Sequence, residues 1–201
     1  MSNKIWEFTG ETEIHFGITL KRIRAVVEFK LKCGIVIGVG ELGGWIESES
    51  NLSGDAWVSG DARVYGNAEV SGNAEVCGNT EVYDNAEVYG NARVYGNARE
   101  SGNAEVYGNA RVYNNAEVCG DAVIKNINDY IVFKNNWSSG RYFTWTRSNN
   151  MWKVGCFYGT GKDLIEKAYK DSKLSGDCYK AYVELVEKLK DVFEKEQQKH
   201  K

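Results

Sequence analysis

Hydrophobic and polar residues alternate through residues 54–125 in a pattern that repeats every six residues. The units follow one another without an insertion and read GDAWVS, GDARVY, GNAEVS, GNAEVC, GNTEVY, DNAEVY, GNARVY, GNARES, GNAEVY, GNARVY, NNAEVC and GDAVIK. Because strand side chains alternate sides, the third and fifth residues share one face and the fourth and sixth share the other. The third and fifth are almost always alanine and valine, so the pattern predicts short strands with an apolar inner face.

The first two residues of each unit predict a corner between strands. Glycine adopts positive φ at little cost, and asparagine or aspartate tolerates it. Only Asp84 and Asn114 replace the corner glycine, and both residue types belong to the tolerant class. A helix is excluded by a Gly-Asn pair in every turn, and hairpins of four-residue strands would bury only alanine and valine. Stacked coils let each strand pair above and below, so the repeat predicts parallel coils.

This repeat resembles the hexapeptide-repeat, left-handed parallel β-helix proteins, which implies three units per coil and a three-sided prism. The segment TLKRIRAVVEF, followed by GELGGWIESESNLSGDAWV, resembles the start of YdcK-like phage and prophage proteins. The segment WKVGCFYGTGKDL resembles a module that follows such repeats in phage proteins. The expected fold is therefore mainly β. It comprises an N-terminal β cap (1–41), a left-handed parallel β-helix (42–125) and a small C-terminal α+β domain (126–201).

With eighteen residues per coil, the fourth residues of the units stack in three outward columns. They are Trp57, Glu75, Arg93 and Arg111 in the first, Arg63, Glu81, Arg99 and Glu117 in the second, and Glu69, Glu87, Glu105 and Val123 in the third. The second column alternates in sign, which predicts a ladder of attractive pairs. The third column stacks three carboxylates without a basic residue, which is destabilising.

The third column has two interpretations. The carboxylates are solvated and screened by salt, or the face is kept acidic for a basic partner, including mimicry of nucleic acid. Tyr89 and Tyr107 occupy neighbouring outward positions, where tyrosines either stack as a stabilising ladder or contact a partner. We predict that Glu69, Glu87, Glu105, Tyr89 and Tyr107 bind the partner.

Glu100 breaks the repeat, since it takes the inward fifth position between Val82 and Val118. A lone buried carboxylate is costly, so we expect a local bulge that turns Glu100 outward. The alternative is a functional carboxylate.

The flanking segments predict separate elements. Residues 4–9 and 12–32 read as strands that cap the open end of the prism. After residue 125, the segments DYIVFK, RYFTWTR and MWKVGCFY predict three strands, and 162–172 and 177–196 predict two helices. We expect Trp137, Trp145 and Trp152 in the core. The apolar stripe of the second helix is expected to pack on the sheet, with an oligomer seam as the alternative. The GTGK at 159–162 lacks the remaining residues of a phosphate-binding loop.

Charge is unevenly distributed along the chain, although the net charge is only −3. Residues 54–125 carry 11 acidic and 5 basic side chains, whereas residues 126–201 carry 10 acidic and 14 basic ones. The five cysteines show no CxxC pair, and the first residues show no apolar signal region. We therefore expect reduced thiols, no membrane partner and the cytoplasm of a bacterial host.

Catalysis is not indicated. Acyltransferases of the resembling class use a histidine base, and the two histidines here, His15 and His200, lie outside the coils. No catalytic residue, metal or cofactor is expected. The prediction is a non-catalytic phage or prophage accessory protein that forms a homo-oligomer and binds a host or phage protein. A nucleic-acid-binding partner fits, without direct nucleic-acid contact, and so does inhibition of a bacterial defence system. The alternatives are a self-assembling structural module and an acyltransferase-like enzyme or small-molecule binder at an oligomer cleft.

Overall fold

The structure is a computed structural model that describes residues 4–199, so His200 lies outside the described residues. The chain forms two compact units. The solenoid unit contains the residues through Ile131 together with Thr146–Asn149, and the C-terminal unit contains Val132–Trp145 and the chain from Asn150 onward. The N-terminal segment and the repeat thus share one unit, and the division falls after Ile131, whereas the sequence suggested residue 125.

The repeat folds into two-residue strands, one in each unit. The strands β6 to β17 are Trp57–Val58, Arg63–Val64, Glu69–Val70, Glu75–Val76, Glu81–Val82, Glu87–Val88, Arg93–Val94, Arg99–Glu100, Glu105–Val106, Arg111–Val112, Glu117–Val118 and Val123–Ile124. Each pairs in parallel with the strand eighteen residues away, as Glu81 does with Arg63 and Arg99. The strands therefore form three parallel sheets of a β-solenoid of about four coils, which confirms the three predicted columns.

Alanine and valine fill the interior of the solenoid as predicted. The inward side chains from Ala56 to Ile124 are buried. At the corners glycines adopt positive φ, and the two substitutes do the same, with φ of 61° at Asp84 and 62° at Asn114. Coils approach closely there, since a Cβ added to Gly102 would lie 2.8 Å from the nitrogen of Gly120.

An N-terminal antiparallel hairpin extends one of the three sheets. The N-terminal strands are β1 (Trp6–His15), β2 (Ile18–Ala25), β3 (Phe29–Lys30), β4 (Val36–Ile37) and β5 (Leu42–Ile46). β1 pairs with β2 and β2 with β5, both antiparallel, and β5 then pairs in parallel with β7 of the solenoid. β5 thereby covers the edge of β7, where Trp45 N–H donates to the Ala62 carbonyl at 2.9 Å and Glu47 N–H to the Val64 carbonyl at 3.1 Å. β3 and β4 form a separate small hairpin.

The C-terminal segments give four strands and two helices. They are β18 (Tyr130–Lys134), β19 (Tyr142–Thr146), β20 (Met151–Val154), β21 (Phe157–Gly159), α1 (Gly161–Asp171) and α2 (Lys173–Lys199). The prediction of three strands was wrong because the MWKVGCFY segment turns back on itself at Gly155, where φ is +55°. None of the helices in the described part of the chain is long and apolar enough to cross a membrane.

The core predictions for the C-terminal unit were confirmed in part. Trp145 and Trp152 are buried, but Trp137 is 81% exposed at the turn between β18 and β19. On α2, Val186 is buried whereas Leu185 is exposed. The stripe of α2 is therefore only partly covered.

Candidate partner-binding face

The third face is the outer surface of the sheet that carries the all-glutamate column. Glu87 pairs in register with Glu69 on one side and with Glu105 on the other. Glu69 and Glu87 are exposed. Across residues 4–199, no cation lies within ion-pair distance of these three carboxylates, so the predicted stacking of like charges is present.

Two tyrosines stand beside this column and are held in place. The rings of Tyr89 and Tyr107 are parallel, with centroids 4.8 Å apart and planes 6° apart. The Tyr89 hydroxyl donates a hydrogen bond to Glu105 Oε2 at 3.1 Å. Burial and this hydrogen bond raise the pKa of Tyr89 to about 12. Lys125 Nζ lies 5.2 Å from the Tyr107 ring centroid at the last coil, so the aromatic stack has a cation at its end.

The first face is the outer surface of the sheet that carries Trp57, Glu75, Arg93 and Arg111. The N-terminal segment covers this face at the first coils of the solenoid. Trp57 is buried, and the Phe29 ring packs edge-on against it at 5.3 Å. Glu75 is only 4% exposed, and its two oxygens accept from the Cys33 backbone N–H at 3.0 Å and from Arg93 Nε at 2.9 Å. These outward positions thus dock the N-terminal segment.

The second face is the outer surface of the sheet that carries Arg63, Glu81, Arg99 and Glu117. Side chains of β1 contact this face. Glu81 pairs with Arg99 at 3.4 Å, as the alternating column predicted, but Arg63 turns to Glu13 of β1 at 2.6 Å. His15 also reaches this face, with Nε2 3.6 Å from Glu81 Oε1 and its ring edge-on to Tyr65. The attractive ladder therefore includes the N-terminal hairpin, which the sequence placed only at the end of the prism.

Glu100 lies inside the solenoid, contrary to the prediction of a bulge. Its strand keeps register with Val82 and Val118, and its side chain is 0% exposed. Neither carboxylate oxygen has a hydrogen-bond partner. Burial raises the pKa of Glu100 to about 8. Backbone hydrogen bonds to the coils on both sides hold the strand straight. The Glu100 carbonyl accepts from Tyr83 N–H at 3.0 Å, and Ser101 N–H donates to the Val118 carbonyl at 3.0 Å.

Ladders of corner side chains join the coils. Asn67 donates to Asn85 at 3.0 Å, Asn85 to Asn103 at 3.1 Å, and Asn103 to Asp121 at 2.9 Å. The recurrence of Asn and Asp at the second position was the available signal for these contacts, but the sequence was interpreted there only in terms of φ.

The residues that could support catalysis or metal binding are dispersed. Within residues 4–199, no three His, Cys, Asp or Glu side chains converge in a way that could hold a metal ion. Cys77 lies beside Glu75 on the first face, and burial raises the pKa of its thiol, which favours the protonated form. The third face presents carboxylates and phenols, with Lys125 at its last coil, so its chemistry is that of anionic hydrogen-bond acceptors beside aromatic surfaces.

Comparison with known families agrees with this architecture. A family model described as the YdcK beta solenoid repeat matches residues 86–102 and 104–120. These segments cover parts of the coils that contain Glu87, Tyr89, Glu105 and Tyr107. A search of curated proteins found no match. The central part of the chain is thus a β-solenoid whose repeats are similar to the YdcK repeat.

Proposed function

We propose that this protein is a non-catalytic binding protein that holds a basic macromolecular partner, a host or phage protein, against its third face. The observation that carries the proposal is the unneutralised stack of Glu69, Glu87 and Glu105. The partner-contacting residues are these three glutamates with Tyr89 and Tyr107.

The energetic cost of the stack supports a functional role. Neighbouring strands lie about 4.8 Å apart, and two unit charges about 5 Å apart repel by about 0.8 kcal/mol in water. The equivalent outward positions in the other columns hold arginines, such as Arg93 and Arg99, so this repeat accommodates a cation there. An arginine at position 87 would convert the repulsion into attraction. Stability alone therefore does not explain the all-glutamate column.

The two tyrosines give the face a surface suited to recognition. Tyrosine offers a large rigid ring with a polar tip, which is why it is enriched at interfaces. The stacking of Tyr89 on Tyr107 and the bond to Glu105 fix both rings before binding, which lowers the entropy cost of association. A partner with lysine or arginine side chains at the spacing of the coils would neutralise the carboxylates and pack on the rings.

A finer version of the proposal concerns the biological setting. The chain would act as a phage or prophage accessory protein in the bacterial cytoplasm, as an inhibitor of a defence system whose target normally binds nucleic acid. The resemblance of both flanking segments to phage proteins supports this version. A regular acidic face resembles a row of phosphates, which is the surface that such a target recognises.

The experiment compares the wild-type chain with a triple variant, Glu69→Gln, Glu87→Gln and Glu105→Gln. Each is immobilised and used to capture proteins from a bacterial lysate, and a captured protein is then purified for calorimetry. We expect the triple variant to bind at least about 10-fold more weakly, with a smaller dependence of affinity on salt. We also expect the variant to unfold at a higher temperature, because the repulsion is gone.

A control triple variant makes the same change in net charge elsewhere. Glu184→Gln, Glu187→Gln and Glu194→Gln alter exposed residues of α2 and should leave the affinity unchanged. Equal affinity of the third-face variant and the wild type would refute the assignment of this face. A rise in stability with no change in binding would leave the carboxylates as a merely tolerated repulsion and would also refute the proposal.

The homo-oligomer expected from the sequence is tested by light scattering of the purified chain. If the chain alone forms assemblies that the third-face variant abolishes, the face is a contact between copies and the self-assembling alternative replaces a heterologous partner. If the partner is a different protein, the wild-type chain and the third-face variant should have the same oligomeric state.

A further inference from the structure

The turn that joins β18 to β19 presents an exposed indole ring. Trp137 is 81% exposed, although Trp145 and Trp152 of the same unit are buried. Tryptophan has a large apolar surface that is normally covered in folded proteins. It is also the residue type most enriched among those that dominate binding energy at interfaces. The Trp137 ring is therefore available to stack on a ligand.

The turn around this ring is built rigidly. Asn135 is 0% exposed. Its Oδ1 accepts hydrogen bonds from the backbone N–H groups of Trp137 at 3.1 Å and Ser138 at 3.3 Å, and its Nδ2 donates to the Ser138 hydroxyl at 2.8 Å. Gly140 completes the turn with φ of +65°. Because the backbone is fixed beforehand, presenting the ring to a ligand requires little additional ordering.

Two exposed cations flank the turn. The backbone N–H of Asn135 donates to the carbonyl of Arg141 at 2.9 Å, which closes the turn between Lys134 and Arg141. The Arg141 side chain extends over the Gly155 turn, since a Cβ there would lie 3.6 Å from Arg141 Cδ. Lys134 Nζ lies 4.1 Å from the ring centroid of Tyr142.

Neither cation is neutralised by a carboxylate. No ion pair involves Lys134 or Arg141 among the residues that the structure describes. The chain contains no aspartate or glutamate at all from position 130 to position 162. The sequence around the turn therefore supplies a locally positive surface with a flat aromatic ring, in contrast to the acidic solenoid.

We infer that this turn, residues 134–141, binds single-stranded nucleic acid. A base stacks on the Trp137 ring, and Lys134 and Arg141 bind the neighbouring phosphates. Stacking on aromatic residues within a positive surface is the usual mode of single-strand binding, and it needs no particular base sequence. This inference goes beyond the proposed function and departs from the expectation of no direct nucleic-acid contact.

A membrane surface fits the turn less well. Insertion into a bilayer scales with buried apolar area, and the neighbours of Trp137 in the turn are asparagines, serines and a glycine. A neutral ligand such as a sugar would leave the two cations unused. The combination of one exposed ring and two cations without a carboxylate partner favours an unpaired, charged polymer whose bases are accessible.

The test measures binding of a fluorescein-labelled oligothymidylate to the full chain by fluorescence anisotropy at low salt. We expect Trp137→Ala to weaken binding by about 5- to 100-fold, as the loss of one stacked base does. Trp137→Phe keeps an aromatic ring and should retain most of the affinity. Phe16→Ala removes another exposed ring, 82% exposed in the solenoid unit, and should have no effect. All three variants should unfold at the wild-type temperature.

Salt and competing ligands complete the test. Arg141→Gln should reduce the slope of log K against log salt by about 0.7, which corresponds to one phosphate contact on a single strand. Duplex DNA should bind more weakly, because its bases are already stacked. The inference is overturned if the wild type does not bind the oligothymidylate, or if Trp137→Ala binds it equally well. It is also overturned if only phosphatidylserine vesicles bind in a manner that depends on Trp137.

Failure of this test is distinguishable from failure of the proposed function. The triple substitution of Glu69, Glu87 and Glu105 should not weaken oligothymidylate binding, because those carboxylates belong to the third face. Conversely, Trp137→Ala should leave capture of a basic partner by the third face unchanged.

Discussion

Replacing Glu100 with valine should stabilise the protein, and the gain should depend on pH. Glu100 occupies an inward position between Val82 and Val118, is fully buried, and has no hydrogen-bond partner for either oxygen. Its pKa in the folded protein, about 8, lies above the ordinary value of 4.5. Between these two pH values the folded chain holds a proton that the unfolded chain has lost.

The sign and size of the effect follow from proton linkage. Because the folded state binds more protons, the free energy of unfolding falls as pH rises from about 4.5 to about 8, and it is level above that range. The contribution of Glu100 reaches about 3 kcal/mol of destabilisation at pH 7 and about 5 kcal/mol above pH 8. Glu100→Val removes this contribution and restores the side chain that the neighbouring coils have.

Urea unfolding followed by circular dichroism at about pH 5, 7 and 9 measures this difference. The gain in Glu100→Val over wild type should grow across the series. Subtracting the free energy of unfolding of the wild type from that of the variant at each pH removes the effect of the ionisable groups that both proteins contain. Glu100→Gln separates charge from polarity, since it should lose the pH dependence but keep an unsatisfied buried amide, which costs about 1–3 kcal/mol. A gain that is the same at all three pH values, or a loss of stability in Glu100→Val, would refute the reasoning.

Three further substitutions test the solenoid by thermal or urea unfolding. Glu87→Gln should raise the free energy of unfolding by about 1.6 kcal/mol at low salt, because it removes the repulsion from both Glu69 and Glu105, and by less at high salt; a gain independent of salt would exclude charge repulsion as its cause. Gly102→Ala should cost more than about 2 kcal/mol, because φ is +70° and the new Cβ would lie 2.8 Å from a backbone nitrogen. Gly17→Ala, with positive φ but no close neighbour, should cost less, and equal costs would contradict the close-approach argument. Glu75→Ala should lower the free energy of unfolding by about 2–4 kcal/mol, because the Cys33 N–H and the Arg93 guanidinium lose a buried acceptor. An unchanged unfolding midpoint would show that this carboxylate does not dock the N-terminal segment.

The period of six and the side-chain alternation were sufficient to predict the coils, the columns and the inward alanines and valines. These features depend on local geometry, which repeats in every unit, so an error in one unit would be corrected by the others. The register of Glu69, Glu87 and Glu105 therefore followed directly from counting eighteen residues. The candidate face could be located from sequence for the same reason.

The features that the sequence analysis missed depend on contacts between distant segments or on competition between energies. Arg63 binds Glu13, fifty positions earlier, and the repeat alone cannot indicate that β1 reaches the second face. Trp137 looked like a core residue by type, but the buried Asn135 fixes the turn so that its ring faces solvent.

The sequence predicted a bulge at Glu100 because the free-energy cost of desolvating a carboxylate was the only cost considered. The opposing term is the backbone pairing of its strand with the coils on both sides. In a solenoid each strand is shared by two neighbours, so a bulge in one coil would break hydrogen bonds in both directions and misalign the columns outside. Protonating the Glu100 carboxyl costs less free energy than a bulge, since the neutral acid leaves the strand pairing intact. The same cooperativity that makes the fold predictable from one unit therefore explains why an unsuitable residue is accepted in place and becomes a titrating group.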